Sequence, residues 1–210
     1  MSKKVEKGTT IGCDYEVEVR DKDGKLLDKR KGVSHTWVRI YTRFLRELFA
    51  NVAGNTRSFS VIDTGGVVRS AYSATGGTPT YNVAFGARAP SNTDAYGIQV
   101  GSSDIPYSRD HYSLQAKITH GTGAGQLLYG EVTVEDVELE DTTERFRIVR
   151  AFTNSSGASV TVKEIGIVVV NQYSSSYYYF LFARDVLPSP ISVPDGASLT
   201  VRYRIFVSYA

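Results

Sequence analysis

The last twelve residues before the C-terminal Ala, "SLTVRYRIFVSY" (198–209), constrain the fold more than any other stretch. Leu199, Val201, Tyr203, Ile205 and Val207 alternate with Thr200, Arg202, Arg204 and Ser208, and only Phe206 breaks the pattern on the polar side. A period of two places successive side chains on opposite faces, which describes a strand with one face in a core and one in water. The same alternation marks "YEVEVR" (15–20) and "RFRIVRAF" (145–152), where Phe146, Ile148 and Phe152 share a parity. "QLLYGEVTV" runs into "EDVELE", but Val132 and Val134 have one parity and Val137 and Leu139 the other, so a bulge or turn is expected near Glu135-Asp136. "ASVTVKEIGIVVV" reads as a long strand or a bent pair, and "YYYFLFARDV" as a further strand. Short strands joined by turns at roughly ten-residue spacing predict an all-β antiparallel β-sandwich, jelly-roll or Ig-like in type.

The N-terminal part adds two elements. "YEVEVR", the turn "DKDGK" and the returning "LLDKRK" predict a hairpin. A single amphipathic helix is expected at about 34–53, where Trp37, Tyr41, Phe44, Leu45, Leu48 and Val52 form one apolar stripe. Ser34 is its candidate N-cap and Gly54 its stop. Arg39, Arg43 and Arg46 share the opposite face, read either as a solvated face or as a contact for an acidic surface such as the 131–144 segment of a neighbour. Residues 1–56 are therefore expected to form a hairpin and helix packed on a 57–210 β-sandwich domain, with a subdivision near 110 as an option. Between them, "FSVI" and "GVVRSAY" flank a turn, and 73–96 is a long polar connection with one strand at "YNVAFG". "YGIQVG" and "YSLQAKI" are expected to be strands around another polar turn.

Charge and cysteine content narrow the function. A formal net charge of +2 lacks the basic footprint of a sequence-independent nucleic-acid binder, so no direct nucleic-acid partner is expected. Glu131 to Glu144 holds seven carboxylates and no base. The lone Cys13 leaves no intramolecular disulfide and no cysteine-based metal site. "MSKKVEKGTT" lacks the apolar core of a signal peptide, which predicts synthesis in a cytoplasm. "IGIVVV" and "YYYFLFA" fall far short of the roughly 20 apolar residues of a membrane-spanning helix, so no membrane partner is expected.

Sites for catalysis are sparse. His35, His111 and His120 lack metal-ligand spacing, and near Asp104 and Asp110 no calcium-loop pattern occurs, so no metal or other cofactor is expected. "HGTGAGQ" (120–126) has neither the Lys-Ser/Thr pair nor the following helix of a phosphate loop. Asp63-Thr64-Gly65 has the letters of an aspartic-protease loop, yet the chemistry needs two carboxylates sharing a proton, and Gly66 stands where a small Ala or Ser is usual. Between "SVI" and "VVRS" these residues read as a hairpin turn, with the Asp63 carboxylate accepting N–H bonds from Gly65 or Gly66. Asn154-Ser155-Ser156 matches a glycosylation sequon but likewise reads as a turn. No enzyme is expected.

Several motifs occur in a suggestive order: "YGIQVG" with a polar turn, a strand before "NSSG", "VKEIG", "ARD", and "VPDGASLTVRY". With "SHTWVRIYTRFLRELF" and "DTGGVVR" upstream, the series over about 34–208 resembles structural proteins of tailed bacteriophages and archaeal tailed viruses, of tail-collar, baseplate or capsid-decoration type. That resemblance implies a non-enzymatic virion component that self-assembles and contacts other virion proteins, with no active site to transfer. The candidate subunit contacts are Arg39, Arg43, Arg46, Glu135, Asp136, Glu138, Tyr177, Tyr178 and Tyr179. The alternative is a carbohydrate- or receptor-binding module of a viral fibre, with the "NQYSSSYYYF" tyrosines stacking on a host-surface glycan.

Overall fold

The computed structural model describes residues 9–34, 37–50, 57–73, 85–173 and 176–209. The expected helix end at 51–54, residues 74–84 of the long connection with most of "YNVAFG", and His35 lie outside these. In chain order the elements are β1 (Thr10–Arg20), β2 (Leu26–Val33), α1 (Arg39–Ala50), β3 (Arg57–Ile62), β4 (Val68–Ser73) and β5 (Gly97–Gly101). They continue with β6 (Leu128–Val134), β7 (Glu138–Glu140), β8 (Thr143–Thr153), β9 (Val160–Tyr173), β10 (Ser176–Val193) and β11 (Ser198–Ser208).

The larger sheet runs β2-β1-β11-β8-β6, with β7 also on β8, and every pairing in it is antiparallel. The N-terminal hairpin is an integral part of it. β1 pairs along its whole length with β11, from Thr10↔Ser208 to Arg20↔Ser198. Residues on either side of position 56 therefore share one sheet. Charge sets this register: Arg204 pairs with Asp14, and Arg202 lies 3.3 Å from Glu16 on the outer face. Phe206, the residue that breaks the alternation, lies over Gly12 of β1, where a Cβ would collide with its ring. An aromatic thus covers a glycine that offers no packing of its own.

The smaller sheet runs β10-β9-β5, and the two sheets pack in a sandwich-like arrangement. Val17, Val19, Leu199, Val201 and Phe152 of the large sheet share a buried core with Val162, Ile165, Ile167, Ile191 and Val193 of the small one. "ASVTVKEIGIVVV" belongs to a single 14-residue strand, β9. β10 is longer than expected, running through Pro188 and Pro190 to Val193. Its pairing with β9 skips between Val186 and Ile191, so both prolines sit where no ladder N–H is required.

α1 begins at Arg39 and not near Ser34, because Ser34 has other partners. Its N–H donates to the Cys13 carbonyl at 2.9 Å and its hydroxyl to Asp185 at 2.9 Å. Val38 then donates to the Phe182 carbonyl, holding the chain on β10 until the helix starts. Trp37 stacks on Tyr41 with ring centroids 3.9 Å apart, and Phe44 packs against Phe85 and Phe182. β3 and β4 form a separate two-stranded hairpin beside α1. "YSLQAKI" is not a strand. The N–H groups of Gln115 and Ala116 turn to the Glu164 carboxylate, leaving a single bridge from Lys117 to Gly101.

Candidate interaction surfaces and buried polar clusters

Asp63 is a turn residue. Its Oδ1 accepts from the N–H groups of Gly65 and Val67, both at 2.9 Å, and its Oδ2 accepts from Arg69 Nε at 2.7 Å. Gly66 instead donates to the Asp63 carbonyl and takes a φ of 81°. Burial alone would raise the Asp63 pKa, but Arg69 and the two backbone donors outweigh it and hold the carboxyl below its usual value. With every oxygen engaged, this carboxylate is an anchor for the turn. Thr64 N–H donates to the Tyr179 carbonyl, and Arg69 lies 5.0 Å from the Tyr178 ring, so the turn is fixed to the start of β10.

The candidate contact residues fall in three places. Arg39 pairs with Asp110 at 2.9 Å and Arg43 donates to the Ser60 carbonyl at 2.6 Å, so the basic face of α1 is tied to the 109–112 segment and to β3. Arg46 is also partnered. Between these elements lies a groove of about 140 Å³ lined by Ile40, Val61, Ile62 and Leu181 with Arg109 on its rim. Close to it, Ile62, Val67, Val68 and Tyr112 are exposed at the hairpin tip.

The acidic segment sits at the far edge of the large sheet. Glu135 and Glu138 pair with Arg147 at 2.8 and 3.0 Å, and Glu140 pairs with Arg145. Asp136 has no ion pair among the described residues. The parity change falls where expected, since residues 135–137 separate β6 from β7. Val132 is buried above it, whereas Val137 and Leu139 are 66% and 68% exposed.

The three tyrosines point differently. Tyr177 is exposed, Tyr178 is half-buried beneath Arg69, and Tyr179 stacks on Tyr96 at 6.0 Å. Tyr179 also lines a cleft of about 400 Å³ with Thr64, Asp94, Gln99, Ser113 and Lys117. A wider basin of about 590 Å³ lies on the outer face of the large sheet, walled by Asp14, Glu16, Lys31, Arg145, Arg147, Arg202 and Arg204.

Glu164, Arg184, Arg150 and Asp185, all buried and charged, escaped the sequence reading. Arg184 and Glu164, both fully buried, pair at 2.6 Å. Glu164 also takes the two loop N–H bonds of Gln115 and Ala116, while Arg184 donates to the Ile105 carbonyl at 2.9 Å. Gly101 makes room for this carboxylate, since a Cβ there would meet Glu164 and the Ala116 carbonyl. His111 Nδ1 receives the Ser108 N–H and faces Arg184 Nη1, both at 3.2 Å, which fixes Nδ1 as an acceptor. Burial first, and the Arg184 charge second, lower the His111 pKa.

Arg150 is fully buried and has no ion pair among the described residues. Its guanidinium donates to the carbonyls of Gly130, Tyr96, Ile98, Pro90 and Thr93 and stacks over the Tyr129 ring at 4.6 Å. Burial lowers its pKa to about 10. On the inner side of β10, Asp185 accepts from Ser34 and Tyr203, both at 2.9 Å. Burial and the Asp185 charge push the Cys13 thiol up to about 12, so it is protonated and a poor nucleophile. Charges inside apolar runs, "KEIGIVVV" and "FLFARDV", were the available signal for Glu164, Arg184 and Asp185.

Among the described residues no group of three or more His, Cys, Asp or Glu is arranged to hold a metal ion, and no helix is long and apolar enough to cross a membrane. No family model, curated protein or solved structure matches the chain.

Proposed function

We propose that this chain is a non-enzymatic structural subunit of a tailed-virus particle, assembling as a homo-oligomer on the capsid or in the tail. The observation that carries the reading is where large apolar side chains are left in water. They gather at the hairpin tip (Ile62, Val67, Val68, with Tyr112 near Gly66), along β2 (Leu26, Leu27, Val33) and beside β7 (Val137, Leu139). Clustered apolar exposure at rims favours coverage by neighbouring subunits. The ordered turns behind the viral resemblance support the same reading: "NSSG" is knotted around Asn154, and "DTGG" around Asp63. The chain is made in the host cytoplasm and ends in the virion, contacting itself and other virion proteins.

Light scattering on the eluting protein and electron microscopy test this. A defined oligomer, ring or tube is expected, and a monomer at every concentration up to the millimolar range would overturn it.

A second reading, a carbohydrate- or receptor-binding module of a viral fibre, is favoured by the Tyr179 cleft, whose hydroxyl, amide and charged groups suit a sugar. Glycan-array binding that disappears in Tyr179→Ala, with exposed Tyr177→Ala as a companion variant, is the expected result. An array blank for the parent chain would dismiss it.

A further inference from the structure

At one end of the large sheet lies β2 and at the other β6 and β7. The 89–92 segment covers β6, with Val132 N–H donating to the Ala89 carbonyl and Asn92 N–H to the Tyr129 carbonyl, both at 2.8 Å, so the edges left open among the described residues are β2 and β7. An open edge presents unpaired backbone groups and is a template for another strand. These two edges carry opposite charge. From Lys25 to Lys31 the β2 side has Lys25, Lys29, Arg30 and Lys31 against Asp28. Within the sheet, Glu16 and Glu18 are shared among Arg20, Lys29, Lys31 and Arg202, so the positive surplus persists, and Lys31 remains 72% exposed. On the other side Glu135, Asp136, Glu138, Glu140 and Asp141 face two guanidinium groups, Arg145 and Arg147. Exposed apolar residues accompany both edges: Leu26, Leu27 and Val33 on β2, Val137 and Leu139 on the other.

We propose that the chain assembles head to tail, with the basic β2 edge of one copy lying alongside the acidic β7 edge of the next. The proposal rests on the self-assembly reading above and names its contact. Like charge makes each edge repel its own kind, so a two-fold pairing of β2 with β2, or of β7 with β7, is disfavoured. The unlike edges attract, and closing them covers the five exposed apolar side chains. Strand direction follows from the all-antiparallel order. β2, β11, β6 and β7 run one way and β1 and β8 the other, so copies in the same orientation meet with β2 parallel to β7. Such a contact uses two different patches and propagates into a ring or a filament.

Two charge-reversed chains test the contact. One carries Lys25→Glu with Lys31→Glu; the other carries Asp136→Lys with Glu140→Lys. All four side chains are exposed, and among the described residues Lys31 has an ion pair 3.2 Å from Glu16 and Glu140 one with Arg145. Circular dichroism and unfolding midpoints check that each variant folds. Each reversed chain alone should self-associate about tenfold more weakly than the parent. An equimolar mixture should recover the parent's association, because each reversed edge then meets an unlike one. Variants that associate like the parent, or a mixture that fails to recover, overturn the edge pairing and leave the assembly reading standing. A parent chain that stays monomeric in low salt overturns both.

Discussion

Asn154 ties the turn before β9 to the end of β10 through one side chain. It is fully buried, its amide donates to the carbonyls of Ala158 and Val193 at 2.7 Å each, and its oxygen accepts from the N–H and hydroxyl of Ser156. Its backbone closes the turn before β11 through Ala197 and Gly196. Glycosylation there would demand unfolding. Asn154→Ala leaves these groups unpaired and should cost about 2–4 kcal/mol, read from denaturant unfolding; a loss below about 0.5 kcal/mol would contradict the role assigned here. His111 supplies a pH dependence. Its folded pKa lies below the ordinary 6.5, so the unfolded chain binds the proton more readily. The stability it contributes is complete above about pH 6.5 and is lost as pH falls through the folded value. The carboxyls of Asp63, Asp94 and Glu18, also held low, act in a separate window below their ordinary 3.8 to 4.5. Urea midpoints between pH 7.5 and 5.5 should therefore fall in the parent and fall less in His111→Gln. Identical profiles would contradict this account.

Among elements, Arg150 shows how a loop is fastened without regular pairing. It reaches from β8 through the sandwich to the carbonyls of residues 90–98, which precede and begin β5. Arg150→Met keeps the bulk and removes all five donors. The expected loss is about 3–5 kcal/mol, with amide exchange in 90–98 rising first, since total stabilities of about 5–15 kcal/mol leave little margin. Uniform exchange behaviour in parent and variant would contradict the fastening role. Element identity was largely legible: alternation located β1, β8 and β11, and the parity change at 135 located the break between β6 and β7. Where an alternating or helical pattern misled, a side chain had claimed the backbone. Glu164 drew the N–H groups of 115 and 116 away from strand pairing, and Asp185 drew Ser34 away from capping α1. Prolines 188 and 190 looked like a strand end because nothing local reveals that β9 skips past them.

At the scale of the molecule, strand order was the least legible feature, since β1 and β11 meet across nearly the whole chain. A signal did exist in the outward charges, Asp14 and Glu16 on one strand against Arg204 and Arg202 on the other. Of the candidate contact residues, Arg39, Arg43, Glu135 and Glu138 have partners within the chain, which leaves Asp136 and Tyr177 as the more available groups. The exposed rims became visible only once burial was known: "LLDKRKGV" and "EDVELE" give no hint by themselves that they end the same sheet on opposite sides. Charge-driven contact between those ends should weaken with salt, because the screening length falls from about 30 Å at 0.01 M to about 8 Å at 0.15 M. Sedimentation velocity of the intact chain across that salt range is the most direct measurement of the central claim. A concentration-dependent oligomer that dissociates as salt rises is predicted, and a single monomeric species throughout would contradict it.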